Sequence, residues 1–282
     1  MICVNCALFD ATLCDDRHEC AMIAQIVEIE MAIAKADLIE GIVKGMAVLE
    51  SFDTERQRLN ATLAAQRAGI TRAAARRHLL TLNHLGYLET DGSYFWLASK
   101  VMRFSGSYLA SSRLPRVVQP TLNRLALQSA HSFSAVVLDD EEVVIVARSD
   151  VARVMAYGLH LGARLPAHAT STGRVLLAAH TKTALNAWLK GRVLPRLTGH
   201  TVTDLKTLRA RIAQAHIDDF AISCEEHELG VSAMSVPLRN AQGKTVAALN
   251  VVLSSAEMNE PQIQQKFLPL LQGAAQELRA LL

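Results

Sequence analysis

The feature that most constrains this chain is its punctuation between residues 39 and 97. Ile39, Ile42, Val43, Met46 and Leu49 recur at helical spacing and define one stripe expected to be buried, on a helix that stops near Phe52 and Asp53. A second short helix fits residues 60–68, and Gly69 follows where a chain leaving a helix often takes positive φ. Thr71 offers a capping hydroxyl to a third helix over residues 72–85, which Gly86 ends. Two strand-like runs, 87–90 and 93–97, then flank Asp91-Gly92, which predicts a two-residue hairpin with positive φ at both turn residues. Three short helices followed by a hairpin predict a winged helix-turn-helix over residues 37–97.

A chain of 282 residues has room for about two domains. Half of it is hydrophobic but only 5% is aromatic, which favours helices and compact α/β packing over an aromatic-rich sandwich. After the hairpin, residues 98–114 read as a linker, helical over 99–112 and ending before Pro115. A helix over 119–129 leads to strands over 134–138 and 142–147, with the bend at Asp139, Asp140 and Glu141. Further strands are expected over 153–159, 221–224, 231–237 and 245–253, and helices over 172–180, 203–215 and from Pro261 onward. Strands with helices before, between and after them give an α+β class, with an antiparallel sheet in a second domain over 115–282.

Several functions lose support from the sequence. No apolar run is long enough to span a membrane, and early acidic residues in place of a basic start argue against a secretory leader, so a cytoplasmic protein is expected. Residues 1–36 read as an appended extension, with Met22 and Met31 as alternative starts. The extension carries Cys3, Cys6, Cys14 and Cys20 with His18 nearby; thiolates so spaced can converge on zinc, but the second pair lacks the tight spacing of a zinc ribbon. No metal or cofactor is expected. His160, His168, His180, Cys224 and His227 supply catalytic chemistry in principle, yet no pair has a diagnostic spacing; Cys224 reads as a core residue, and catalysis is not expected.

DNA is the favoured partner. The formal net charge is only +2, but from Arg56 to Leu88 the chain carries six arginines and no acidic residue. Such local charge fits a polyanion at one place. On a helical wheel Ala75, Leu79, Leu82 and Leu85 share a buried face of the third helix, while Ala73, Arg77 and His84 project oppositely, with Arg76 to one side. Arginine can grip guanine bidentately and alanine can lie against a thymine methyl, so Thr71, Arg72, Ala73, Arg76 and Arg77 are the expected DNA-binding residues. Tyr94, Phe95 and Trp96 are expected to pack under the hairpin.

These stretches resemble the IclR family of regulators. The resemblance rests on Lys44-Gly45-Met46-Ala47-Val48-Leu49, Ala73-Ala74-Ala75-Arg76-Arg77 and Leu85-Gly86-Tyr87-Leu88, and it continues through residues 162–179 and 225–237. Residues 71–92 and 108–120 look most like the Pca/Pob branch, whose members regulate catabolism of aromatic acids through the β-ketoadipate pathway. The resemblance implies a GAF-like effector domain and a ligand-responsive regulator of operator DNA. Many members carry Ser-Thr where this chain has Ala73-Ala74, so two hydroxyl contacts to DNA are absent.

Residues 164–174 run into an apolar helix. A helix N-terminus offers unpaired N–H groups and partial positive charge, which suits a carboxylate. Ala169, Thr170, Ser171, Thr172 and Gly173 are therefore candidate effector-binding residues, though the same residues also read as ordinary caps and a packing glycine. The family resemblance implies that this joint lines an effector pocket, with further lining from Ser223, Ala233, Asn250 and Val252; Val231 is expected to join them. Ala233 and Val252 make that pocket partly apolar, as an aromatic ring would require. The carboxylate is expected on the backbone N–H groups of 171–173, with Asn250 on a distal polar group. A non-aromatic acid is the alternative effector. Other expected partners are a second copy or more of the chain and, for an activator, RNA polymerase; no membrane partner is expected.

Overall fold

The computed structural model describes residues 37–53, 55–149 and 159–282. The expected extension with its cysteines, and nearly all of the expected strand over 153–159, lie outside the described residues. The chain divides into two units, Met1–Met102 and Arg103–Leu282.

The first unit contains α1 (Glu40–Leu49), α2 (Ala61–Ala68), α3 (Arg72–His84) and the hairpin of β1 (Leu88–Thr90) with β2 (Phe95–Leu97). Local chemistry sets these boundaries. Asn60 caps α2 by accepting the N–H groups of Thr62 and Leu63, and Gly69 leaves it at φ +64. Thr71 caps α3 by accepting the Ala74 N–H at 3.2 Å. A shared core of Val48, Leu59, Ala64, Ala75, Leu79, Leu88 and Phe95 holds the helices to the hairpin.

Three expectations for this unit fail. Ile39, Ile42, Val43 and Met46 are exposed; of the α1 stripe only Leu49 reaches the core, beside the buried Val48. Periodicity identifies an apolar face but not what covers it. Leu85 is also exposed, because it is the cap residue beyond the end of α3, where the wheel no longer applies. The wing is not a two-residue hairpin. Thr90 pairs with Phe95, leaving a four-residue loop in which only Gly92 has positive φ. The Asp91 carboxylate accepts the N–H groups of Ser93 and Tyr94, a side-chain turn that outcompetes the tight backbone one. Phe95 is buried as expected, while Tyr94 is exposed.

The second unit begins with two helices where one linker helix and a later start were expected: α4 (Met102–Ser111) and α5 (Arg113–Ser129). Pro115 lies in the first turn of α5, where its missing N–H costs nothing, so it opens a helix here. There follow β3 (Ser132–Asp139), β4 (Glu142–Arg148), β5 (Arg164–Pro166), a 3-10 turn (Ala167–Ala169), α6 (Ser171–Ala178), α7 (Lys182–Leu189), α8 (Leu205–Asp218), β6 (Ala221–Cys224), β7 (Val231–Arg239), β8 (Thr245–Ser254) and α9 (Glu260–Arg279). β5 and α7 escaped the sequence reading; the first is a three-residue edge strand and the second a short helix.

The sheet order is β5-β4-β3-β8-β7-β6, antiparallel throughout. Alternation divides each central strand between two layers. Phe133, Ala135, Leu249 and Val251 pack with Val118 and Leu122 of α5 and Phe267 and Leu271 of α9. Val136, Ala248 and Val252 pack with Val175 and Leu177 of α6 and Leu208 and Ile212 of α8. With both faces covered, these strands read as nearly continuous apolar runs. No helix among the described residues is long and apolar enough to cross a membrane.

Candidate DNA-reading helix and effector cavity

On α3, Arg72, Ala73, Arg76 and Arg77 are all exposed, and the three arginines form no ion pair with a described residue. The other arginines of the basic stretch differ. Arg67 pairs with Asp53. Arg58 lies 4.2 Å above the Trp96 ring, and 3.6 Å separates it from Asp91, so it braces the wing. Nothing in the sequence connects Arg58 to Trp96 across that interval. Arg56 is exposed before α2, and the remaining cationic charge of the stretch lies on the first half of α3. Thr71 is exposed at the cap.

Nine of the ten expected effector residues line one cavity: Ala169, Thr170, Ser171, Thr172, Ser223, Val231, Ala233, Asn250 and Val252. Register explains the convergence. Ser132, Val252, Ala233 and Ser223 lie side by side across four strands, and Ser134, Asn250 and Ser235 form the next row. The start of α6 is bonded onto this floor. The Ser171 N–H donates to the Ser223 hydroxyl at 3.2 Å, and the Ser171 and Ser235 hydroxyls are 2.6 Å apart.

Gly173 is the exception. A Cβ there would stand 2.0 Å from the Ala167 carbonyl oxygen, so this glycine lets α6 pack against the preceding turn, and it does not line the cavity. Its N–H is taken by the Thr170 hydroxyl at 3.0 Å. Of the three N–H groups expected to hold a carboxylate, that leaves Thr172's without an acceptor among the described residues. Asn250 is not distal to the helix start either, since it lies opposite Ser235, the partner of Ser171.

Several charges near the cavity are engaged within the protein. Arg174, almost fully buried, pairs with Glu226 and donates to the Ile222 carbonyl. Arg164 bonds Asp139 and Glu142, both at 2.6 Å. The Glu225 carboxylate accepts the Gly230 N–H. Among the described residues the buried Asn250 Oδ1 and the His227 Nδ1 have no hydrogen-bond partner. Burial holds His227 below the ordinary histidine value, with Glu228 opposing. His168, which bonds the Pro195 carbonyl, is depressed for the same first reason. Burial pushes the Cys224 thiol up, away from the thiolate a nucleophile needs. Arg148, His227 and Glu228 also line the cavity and were not foreseen; no spacing in the sequence connects them to it.

The free volume is about 50 Å³, so a ring enters only as the walls give way. A larger groove of about 590 Å³, between α6, α8 and the β7–β8 turn, contains none of the expected residues.

Comparison with known proteins agrees with both halves. Residues 41–92 match the IclR helix-turn-helix domain, and residues 106–280 match the C-terminal domain of IclR bacterial transcriptional regulators. The chain is 50% identical over 254 residues to the p-hydroxybenzoate hydroxylase transcriptional activator of Acinetobacter baylyi, covering 88% of this chain and 94% of that protein. It is 48% identical to the Pca operon regulatory protein of the same organism, covering 89% and 91%. Among solved structures, the inducer-binding domain of an Acinetobacter PobR double mutant, in complex with 3-hydroxybenzoic acid, is 46% identical with a TM-score of 0.57, covering 60% of this chain and 98% of that one. An IclR homologue from Microbacterium hydrocarbonoxydans complexed with 4-hydroxybenzoate is 26% identical with a TM-score of 0.67, covering 85% and 97%. An exposed basic helix on a winged helix-turn-helix, an α+β unit with a partly polar cavity, and matches across both together place the chain in the IclR family of bacterial transcriptional regulators.

Proposed function

We propose that this regulator answers an aromatic acid, of the hydroxybenzoate or protocatechuate kind, that binds in the cavity between the start of α6 and the sheet. The observation that carries the reading is the lining itself. Val231, Ala233 and Val252 offer apolar contact for a ring, and the Thr172 N–H and the Asn250 amide offer polar contact at one end. The relatives named for p-hydroxybenzoate and Pca control, and the structures that hold hydroxybenzoates, support the same class of ligand.

Arg76 and Arg77 read base edges or phosphates in the operator, and Arg72 holds phosphate. The chain acts in the cytoplasm as a homodimer or larger assembly, with no catalytic step of its own. The exposed α1 stripe supports a second copy as its cover. Operator half-sites would then lie about 34 Å apart, or a multiple of it. RNA polymerase is a further partner if the response is activation. Ligand binding switches the protein only by favouring one arrangement over another, so operator and ligand affinities change by the same factor.

Calorimetry of the full-length protein against 4-hydroxybenzoate, protocatechuate and β-ketoadipate tests the ligand class. Saturable binding of either ring acid is expected. Binding of the non-aromatic acid alone would transfer the site to a different class of effector.

A further inference from the structure

The loop from Glu225 to Gly230 joins β6 to β7 and closes one side of the cavity. Its backbone is well fixed. Glu225 has φ +57 and Gly230 has φ +80. The hydroxyls of Thr198 and Thr201 donate to the carbonyls of Glu225 and Glu226, each at 2.6 Å. A loop held this way presents its side chains at defined positions. Glu226 is turned to Arg174. His227 lines the cavity, and its enclosed Nδ1 has no hydrogen-bond partner among the described residues.

We propose that His227 reads a ring hydroxyl on the effector, accepting its O–H at Nδ1, while the effector's carboxylate lies at the start of α6 beside Asn250. This rests on the aromatic-acid reading of the same cavity. Two observations orient the ligand. At the α6 end, the Thr172 N–H has no acceptor among the described residues, the helix start carries partial positive charge, and Asn250, next to Ser235, would turn its amide N–H₂ toward the carboxylate. At the loop end, Glu228 shares the wall with His227, so a carboxylate there would meet a charge of its own sign, while the neighbouring Glu226 is paired with Arg174. An O–H donor suits that end. His168, from the turn before α6, also acts on His227, and Arg148 from the end of β4 lines the same cavity. Burial, opposed by Glu228 and reinforced by His168, favours the neutral imidazole, which has one nitrogen free to accept. An acid without the hydroxyl leaves that nitrogen buried and unpaired, which lowers its affinity.

The test is calorimetry of the full-length protein with 4-hydroxybenzoate and with benzoate, repeated in two buffers of different ionisation enthalpy between pH 6.5 and 8. Wild type is expected to prefer the hydroxylated acid by about 10- to 100-fold, with no net proton uptake. His227→Phe should bring the two affinities together by weakening only 4-hydroxybenzoate. His227→Asn, which keeps an acceptor near the Nδ1 position, should retain part of the preference and controls for folding. An unchanged preference in His227→Phe would overturn the assignment, as would proton uptake on binding that this variant abolishes. In either case the aromatic-acid reading survives. If wild type binds neither acid, both readings fall together.

Discussion

Arg77 faces solvent on α3, whereas Gly173 is pressed against the Ala167 carbonyl. The arginine has no ion pair with a described residue, which leaves its guanidinium for DNA. Arg77→Ala should cost about 1–3 kcal/mol of operator affinity and relax one position of the site. Arg72→Ala should weaken all sequences alike and lower the salt slope by about one. Titration of native and altered operators across salt concentrations checks both, and wild-type affinity in both variants would remove α3 from the DNA interface. Gly173 instead meets backbone. Gly173→Ala forces a methyl against the Ala167 carbonyl, so it should destabilise the fold by about 1–3 kcal/mol, read from the denaturant midpoint. A variant of wild-type stability that has lost only its ligand response would restore the glycine to the pocket. The sequence marks both residues as special. It could place Arg77 because a wheel is local geometry, but not Gly173, because smallness looks the same whether it admits a ligand or a carbonyl.

At the level of elements, caps were legible and coverings were not. Thr71 and Asn60 act within three residues of themselves, so their helices begin where the sequence puts them. Thr71→Ala should cost about 0.5–2 kcal/mol of thermal stability through the lost cap, a loss absent if α3 starts elsewhere. The wing was harder, since Asp91 could favour a tight turn or bond its own backbone, and only the second occurs. That bonding sets a pH signature. The N–H groups of Tyr94 and Ser93, with a contribution from Arg58, hold the Asp91 carboxyl below its ordinary 3.8. A depressed carboxylate stabilises the fold above its unfolded value and loses that contribution as pH falls through the folded one. The acid limb of a melting-temperature profile, below about pH 4, should therefore flatten in Asp91→Asn; identical limbs would show that the turn does not depend on the charge. For α1 the period was correct and the burial was not, because the cover for Ile42 and Val43 is not supplied by the described core of this unit.

For the whole molecule, that uncovered stripe predicts assembly. Sedimentation at micromolar concentration should give a dimer or larger species, and Ile42→Glu should shift it toward monomer and weaken operator binding. A wild-type monomer that still protects a single half-site would contradict this. The α+β architecture was readable because its strands alternate or run apolar at plain lengths, whereas the pocket had to be assembled from six strands and a helix start, for which the family pattern was needed. The sheet has a mechanical consequence as well. On β8, Asn250 and Val252 face the cavity while Leu249, Val251 and Leu253, interleaved with them, are locked against α5 and α9. Neighbouring side chains on one rigid strand cannot be displaced independently. Any push that a guest exerts on one side of this wall is delivered to the other, and α5 follows α4 in the chain with Ser112 alone between them.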